Sequence, residues 1–345
     1  MAKEISVAIV GATGAVGTKM REQLFKRNFP IKNIKFLASA RSAGKDIEFG
    51  GKTYKIEEAT PEAFEGVDLA LFSAGGSVSE KLAPEAAKRG AIVVDNTSHF
   101  RMHPEVPLVV PEVNREDLKK HKGIIANPNC STIQMVVALQ PIREKFGLNK
   151  VVVSTYQAVS GSGIAAIEEL RVQSEQWEKG KDVEANVLPV KSDKKHYPIA
   201  RNVLPQIDVF TDNGFTKEEM KMINETKKIM NAPDLSVAAT CVRVPVVNGH
   251  SESVYIELEK EATVEEIFDV LRNAPGIVLQ DDINNQEYPM PLFTEGEDPV
   301  FVGRIRQDLD NKKGFHLWIV ADNLLKGAAL NSIQIAEALL EDNIL

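Results

Sequence analysis

Ile5-Ser6-Val7-Ala8-Ile9-Val10, continued by Gly11-Ala12-Thr13-Gly14-Ala15-Val16-Gly17, decides the fold class of this chain. The first six residues form a short apolar strand, and a helical stretch from Lys19 to Lys26 follows the glycines. A strand, three spaced glycines and a helix make a dinucleotide-binding fingerprint. Gly11 permits the tight turn, Gly14 lets the backbone approach a pyrophosphate, and Gly17 lets the helix pack closely on the strand. The pyrophosphate then meets the helix N-terminus. A plain glycine turn is the bland alternative, and the flanking strand and helix weigh against it. The expectation is an α/β chain with a Rossmann-type domain, in which Gly11, Thr13, Gly14, Ala15 and Val16 face the cofactor.

The next strand, Ile34 to Leu37, ends in Ala38-Ser39-Ala40-Arg41-Ser42. An NAD-specific fold usually carries an acidic residue there for the ribose 2′-hydroxyl, and none is present. Arg41, with hydroxyls from Ser39 and Ser42, offers charge and hydrogen bonds to a 2′-phosphate, which predicts NADP. Asp68 to Phe72 reads as a further strand, and Ser73-Ala74-Gly75 at its end is either a cofactor edge or a tight connection. A helix over Val78–Lys88 and a strand over Ala91–Val94 follow. Arg101, beyond another strand end, offers an anion clamp.

Composition narrows the function. The chain has 345 residues with 43% hydrophobic, enough to bury a sizeable core and to suggest two domains. A formal net charge of -8 argues against nucleic acid as partner. Two cysteines, Cys130 and Cys241, are too few for a disulfide framework. No run approaches the roughly 18 apolar residues of a membrane helix. Met1-Ala2-Lys3-Glu4 leads directly into a strand, so a cytoplasmic protein is expected. The histidines show no metal-ligand spacing, and no metal is expected.

The chemistry centres on Asn127-Pro128-Asn129-Cys130-Ser131-Thr132. Pro128 biases Asn127 toward extended backbone, and Asn129 is a good cap for the apolar run that follows, so Cys130 should open a helix. Free backbone N–H groups and the positive end of the helix dipole favour a thiolate there. A buried core thiol is the alternative reading. Cys241 lacks this context and reads as packing.

Beyond that helix, valine- and threonine-rich Lys150–Val159 is a strand signature with Gln157 near its end. Ser160-Gly161-Ser162-Gly163 and an amphipathic helix from about Ala165 to Trp177 follow. Residues 181–206, with three prolines, read as a long surface excursion or subunit-contact segment. Thr216 and Glu219 have capping-box spacing, and the helix they open places Glu218 and Lys221 on one face. By themselves those two read equally as a solvated surface pair. Val237 to Val247, with Arg243, is a strand broken by Pro245, and His250 falls in a turn. Thr263–Arg272 is an amphipathic helix, Val300–Ile305 and Gly314–Val320 a hairpin, and Asp322-Asn323 introduces an apolar closing helix.

Gly11 to Gly17, Asn129-Cys130-Ser131-Thr132, Gln157 and Arg243 through His250 together resemble aspartate-semialdehyde dehydrogenases, nearly end to end. The resemblance implies an NADP-binding domain over 1–129 completed by a C-terminal helix at 323–345. It also implies an α+β catalytic and dimerisation domain with a mixed sheet over 130–322, and a homodimer. The implied reaction interconverts L-aspartate 4-semialdehyde, phosphate and NADP with aspartyl phosphate and NADPH. Its reductive direction serves lysine (through diaminopimelate), threonine, methionine and isoleucine biosynthesis. Carried over by position, Cys130 is the nucleophile and His250 the general acid/base, suited by an imidazole pKa near working pH. Gln157 orients the reacting groups, and Asn129 donates to the oxyanion or simply caps the helix. Arg243 takes the substrate carboxylate, Glu218 its ammonium, and Arg101 with Lys221 the phosphate. Ser160, Gly161 and Asn323 lie toward the nicotinamide. A reductase of N-acetyl-glutamyl phosphate shares the cysteine-thioester logic but needs no counter-charge for a free ammonium. A redox-sensing NADP-binding protein would need only Cys130 and the cofactor fold.

Overall fold

The computed structural model describes residues 3–345, and the chain divides into two compact units. One holds the chain up to Asn129 together with Ala328–Leu345, and the other holds Cys130–Gly327.

In the first unit, β1 (Ile5–Val10) leads into α1 (Ala15–Lys26), then β2 (Ile31–Ala38), β3 (Asp46–Phe49), β4 (Lys52–Glu58) and β5 (Leu69–Phe72). After them come α2 (Gly76–Lys88), β6 (Ile92–Asp95), α3 (Pro111–Asn114) and β7 (Ile124–Ala126). The sheet order is β3-β4-β2-β1-β5-β6-β7, parallel except where β3 runs against β4. Strands β5 and β6 are buried at every position, as continuous apolar runs covered on both faces should be. The order reverses at β1, with β2 on one side and β5 on the other. That switch point is where an open α/β sheet receives a ligand. Helix α1 starts at Ala15, earlier than the expected Lys19, because extended Gly14 (φ -77°, ψ 170°) already serves as its N-cap.

The second unit runs through α4 (Cys130–Phe146), β8 (Lys150–Gln157), α5 (Ile164–Glu178), α6 (Lys217–Ile229), β9 (Ser236–Arg243) and β10 (His250–Glu257). It continues with α7 (Val264–Arg272), β11 (Ile277–Leu279), α8 (Pro291–Thr294), β12 (Val300–Gln307) and β13 (Gly314–Ala321). Its mixed sheet has the order β11-β12-β13-β10-β8-β9. Alternation sorts the two faces: Val151, Val153, Thr155 and Gln157 of β8 point inward, while Val152 and Tyr156 are exposed. Helix α4 packs on β10, β12 and β13, and α6 packs on β9 and α4. A capping box at Thr216/Glu219 starts α6 as its spacing predicted, and a second at Thr263/Glu266 starts α7. Each such cap contributes about 1 kcal/mol.

Residues 181–206 form no helix or strand and run largely over the surface as expected, but they are pinned at several points. The buried Glu169 carboxylate accepts the N–H groups of Asn186, Val187 and Leu188. Gln173 accepts those of Ile199 and Ala200, and Leu188, Ile199, Ala200 and Leu204 join Val159, Ala166 and Leu170 in one apolar cluster.

The closing helix follows Asp322 as expected but begins in π form. Asp322 Oδ1 accepts the N–H groups of Leu324 and Leu325, a π-turn spans Leu325–Ala329, and only then does α9 (Leu330–Glu341) begin. Residues 323–327 therefore stay with the second unit. Helix α9 belongs to the first unit and inserts Ile333, Ile335, Ala336 and Leu339 among Ile5, Ile9, Met20 and Leu24. Arg27 pairs with Glu337 at 2.7 Å and Arg115 with Asp342 at 2.8 Å. No helix among the described residues is long and apolar enough to cross a membrane, and they contain no cluster of three or more His, Cys, Asp or Glu able to hold a metal.

Candidate active site

At the carboxyl ends of β1, β2 and β5, three turns converge in the first unit. Gly11 has φ +86°, and a Cβ there would lie 2.9 Å from the Ser73 carbonyl group, so the turns after β1 and β5 meet only because Gly11 lacks a side chain. Gly11 N–H donates to Leu37 O at 2.8 Å, which ties the same turn to the end of β2. A Cβ on Gly17 would sit 2.2 Å from Gly11 O, the close helix–strand approach read from the sequence. Thr13 is exposed, and Gly14, Ala15 and Val16 are partly exposed where α1 begins. Ser42 N–H closes a turn on Ser39 O at 2.8 Å, and the exposed Arg41 forms no ion pair among the described residues. Gly75 is exposed with φ +98°. A cradle of glycine backbone at a helix N-terminus, flanked by hydroxyls and a guanidinium, fits a dinucleotide's phosphates.

Arg101 is buried in the first unit, where its Nε donates to Asn127 O and its Nη2 to Asn96 O, each at 2.9 Å. The expected anion clamp thus also braces the main chain that leads to the buried Asn129.

Strand register builds the site of the second unit. On the inward face, Gln157 at the end of β8 pairs with Arg243 at the end of β9. His250, the first residue of β10, lies beside them because β10 runs antiparallel to β8, with Ser251 opposite Tyr156. His250 therefore opens a strand instead of sitting in a turn. Gly161 completes this corner: a Cβ there would lie 3.0 Å from Arg243 Nη1 and 3.3 Å from His250 Nε2. Ser160 and Asn323 exchange side-chain hydrogen bonds at 2.9 and 3.3 Å, and Asn323 Oδ1 also accepts Gly249 N–H at 2.9 Å.

Cys130 is the first residue of α4 and half-buried. Cys130 and Glu218 both lie within electrostatic reach of Arg243, whose guanidinium burial pulls below its usual value. Arg243 Nη1 donates to Ala158 O at 2.7 Å, while its buried Nε has no partner among the described residues. Glu218, almost fully buried, accepts Gln157 Nε2 at 3.1 Å and pairs with Lys221 at 3.0 Å, and Lys221 also pairs with Asp208 at 3.0 Å. Gln157 Oε1 in turn accepts from Thr155 at 3.0 Å.

His250 is fully buried, and its Nδ1 accepts the Ala158 N–H at 3.0 Å. A neutral ring held that way carries its proton on Nε2, which has no partner among the described residues. Burial pushes the imidazole down to about 3, with Arg243 adding to the shift and Glu218 opposing it. The expected pKa near working pH is thereby corrected: desolvation keeps the ring neutral, and it presents an N–H donor.

Three further residues matter that the sequence reading passed over. A Cβ on Gly327 would lie 2.7 Å from Cys130 Cβ, so the π-turn presses directly on the cysteine. Gln134 of α4 donates to His250 O at 3.2 Å, and Glu252 lies fully buried on the inward face of β10. A glycine inside an apolar helical pattern and a glutamate at an inward strand position were the available signals. Cys241 is buried, and desolvation with nearby carboxylates pushes its thiol far up, so it packs as expected.

A nucleotide cradle in one unit and a cysteine, a histidine and an arginine at the strand ends of the other are the features of a nucleotide-dependent dehydrogenase. Residues 6–121 match the model of the semialdehyde dehydrogenase NAD-binding domain, and residues 139–326 that of the semialdehyde dehydrogenase dimerisation domain. The aspartate-semialdehyde dehydrogenase of Bacillus subtilis is 62% identical over the full length of both chains. A crystal structure of aspartate-semialdehyde dehydrogenase II from Vibrio cholerae, complexed with ASA, superposes with a TM-score of 0.94 at 47% identity, covering 99% of each chain. The Candida albicans aspartate-semialdehyde dehydrogenase with NADP gives 0.77 at 26% identity, covering 99% of this chain and 100% of that one. The chain belongs to the aspartate-semialdehyde dehydrogenase family, a family of oxidoreductases.

Proposed function

We propose that the protein is an NADP-dependent, phosphorylating aspartate-semialdehyde dehydrogenase that carries its acyl group on Cys130. The inward row of Arg243, Gln157 and His250, with Cys130 acting on the same guanidinium, supports this best. In the reductive direction the Cys130 thiolate attacks the acyl carbon of aspartyl phosphate, phosphate leaves, and a thioester forms. Bound NADPH supplies a hydride to that carbon. The resulting oxyanion receives the Nε2–H of neutral His250, and its collapse returns the thiolate and releases the semialdehyde. No net proton is needed at that carbon, so a histidine held neutral suits a donor role throughout.

Arg243 takes the substrate carboxylate with a guanidinium already fixed by Ala158 O, and Glu218 offers the ammonium a counter-charge while Gln157 orients the acyl group. Arg101 and Lys221 serve phosphate, and Asn129 supports the oxyanion. Gly11, Thr13, Gly14, Ala15, Val16, Ser73 and Gly75 hold the dinucleotide, Ser39, Arg41 and Ser42 its 2′-phosphate, and Ser160, Gly161 and Asn323 are its remaining contacts. The product feeds lysine, threonine, methionine and isoleucine biosynthesis in the cytoplasm. A homodimer fits the second unit, whose outer sheet face exposes Val152 and Tyr156 beside Trp318.

The test is a spectrophotometric assay with L-aspartate 4-semialdehyde. Phosphate-dependent reduction of NADP, well ahead of NAD, is expected. Activity that ignores phosphate, or that prefers N-acetylglutamate semialdehyde, would overturn the reading, whereas a preference for NAD would remove only the role of Arg41.

A further inference from the structure

Behind the row of Arg243, Gln157 and His250 runs a second inward row. Strand register aligns Cys241 of β9 with Thr155 of β8, Thr155 with Glu252 of β10, and Glu252 with Ile319 of β13. Glu252 is fully buried and shares the inward face with His250, two residues back along β10 and so about 7 Å away. Both of its carboxyl oxygens lack a full hydrogen bond, and the described residues supply it no ion pair. Gln134 of α4 reaches it; its Nε2 donates to the His250 carbonyl at 3.2 Å, and its own buried Oε1 has no partner among the described residues.

This corner thus holds three buried acceptor atoms short of donors, Glu252 Oε1, Glu252 Oε2 and Gln134 Oε1. An ionised carboxylate would leave all three as they are, at the high cost of an unpaired interior charge. A single proton on Glu252 turns one acceptor into a donor beside another and removes the charge. Burial drives the group the same way, pushing its pKa well above the usual carboxylate value against the favourable Gln134 contact. The titratable neighbours are His250 on its own strand and Cys241 across Thr155, a thiol kept protonated by burial and by the carboxylates of Glu218 and Glu219. Neither can lend Glu252 a positive charge while His250 stays neutral.

Resting on the function proposed above, we propose that Glu252 is a positioning residue of the reaction: in its acid form it and Gln134 make an uncharged clamp behind His250. The clamp holds the main chain of His250 where Ala158 N–H can fix the ring tautomer, and it keeps negative charge away from the imidazole. An ionised Glu252 would favour imidazolium, raising a neighbouring pKa by roughly one to three units. It would also leave Gln134 to solvate a carboxylate instead of bracing the His250 carbonyl.

The test uses the full-length wild type with Glu252→Gln, Glu252→Asp and Gln134→Leu. Difference infrared spectroscopy at pH 7 should show a protonated carboxyl carbonyl band in the wild type that Glu252→Gln lacks. Glu252→Gln, a neutral near-isostere, should turn over within about threefold of wild type, whereas Gln134→Leu should lower kcat by about tenfold or more with a much smaller change in KM. Because its folded pKa is raised, the stability that Glu252 contributes as an acid is lost as pH rises. The Tm advantage of Glu252→Gln over wild type should therefore grow from pH 6 to pH 9. Glu252→Asp cannot reach Gln134 from the same backbone and should follow Gln134→Leu. An absent band, a Tm difference that does not vary with pH, or a Glu252→Gln variant as impaired as Gln134→Leu would overturn the proposal while leaving an active wild type's function intact. A wild type without phosphate-dependent activity would remove the functional reading beneath it.

Discussion

Gly327→Ala puts the position of Cys130, the proposed nucleophile, to a quantitative test. The new methyl carbon would begin 2.7 Å from Cys130 Cβ, 3.1 Å from its Cα and 3.4 Å from its carbonyl oxygen. Ordinary carbon contacts lie at about 3.5–4.0 Å, so the cysteine or the π-turn must yield by about 1 Å. Gly327 has no left-handed φ, and alanine suits helical backbone better than glycine by about 1 kcal/mol, which offsets much of an overpacking cost of about 1–3 kcal/mol. The fold should therefore survive with Tm within a few degrees of wild type, while a reacting atom displaced by about 1 Å costs roughly a hundredfold in kcat. Phosphate-dependent NADP reduction gives kcat and KM, and the iodoacetamide reaction rate of Cys130 reports the thiol directly. A variant with wild-type kcat and wild-type alkylation would show that the contact does not seat the sulfur, and the reasoning would fail.

Cys130→Ala should abolish turnover while calorimetric binding of NADP stays near wild type; residual acylation in a rapid-quench experiment would contradict the thioester. Arg243→Lys should raise KM for the semialdehyde by tenfold or more, since an ammonium cannot reproduce the fork that also bonds Ala158 O; an unchanged KM would remove the assignment. His250 is depressed to about 3 in the folded state against about 6.5 unfolded, so stability present above pH 6.5 is lost as pH falls. At pH 4.5 the loss amounts to roughly 2–3 kcal/mol, and His250→Asn should recover much of it; equal acid sensitivity in urea titrations of the two proteins would refute the shift.

Local signals in the chain were legible wherever the physics is local. The run from Ile5 to Gly17 carries strand, turn and helix start within a few residues, and Thr216 with Glu219 announces its own helix. The hairpin of β12 and β13 followed from two β-rich runs with a short connection between them. What alternation cannot give is lateral register. Gln157, Arg243 and His250 become neighbours only through pairings between strands far apart in the sequence. The same non-local cause hid the anchoring of residues 181–206, since Glu169 and Gln173 look like ordinary surface positions on an amphipathic helix. Asp322 caps the closing helix where its type suggests, but the first turns, Leu325–Ala329, are π-helical before α9 begins, which no local signal announces. Glu252 contradicts its own strand pattern, a charge where an apolar residue is expected, and such conflicts gather where function outweighs local consistency.

Helix α9 has a consequence for the order in which the protein matures on the ribosome. The core around β1 and α1 is closed by residues that are translated only after all of Cys130–Gly327. At about 5–20 residues per second, the nascent nucleotide domain waits roughly 10–40 s for its final wall, its apolar Ile5, Ile9 and Leu24 short of their partners. Translation that stopped before Leu330 would release a chain with an open N-terminal core, a substrate for chaperones and proteases.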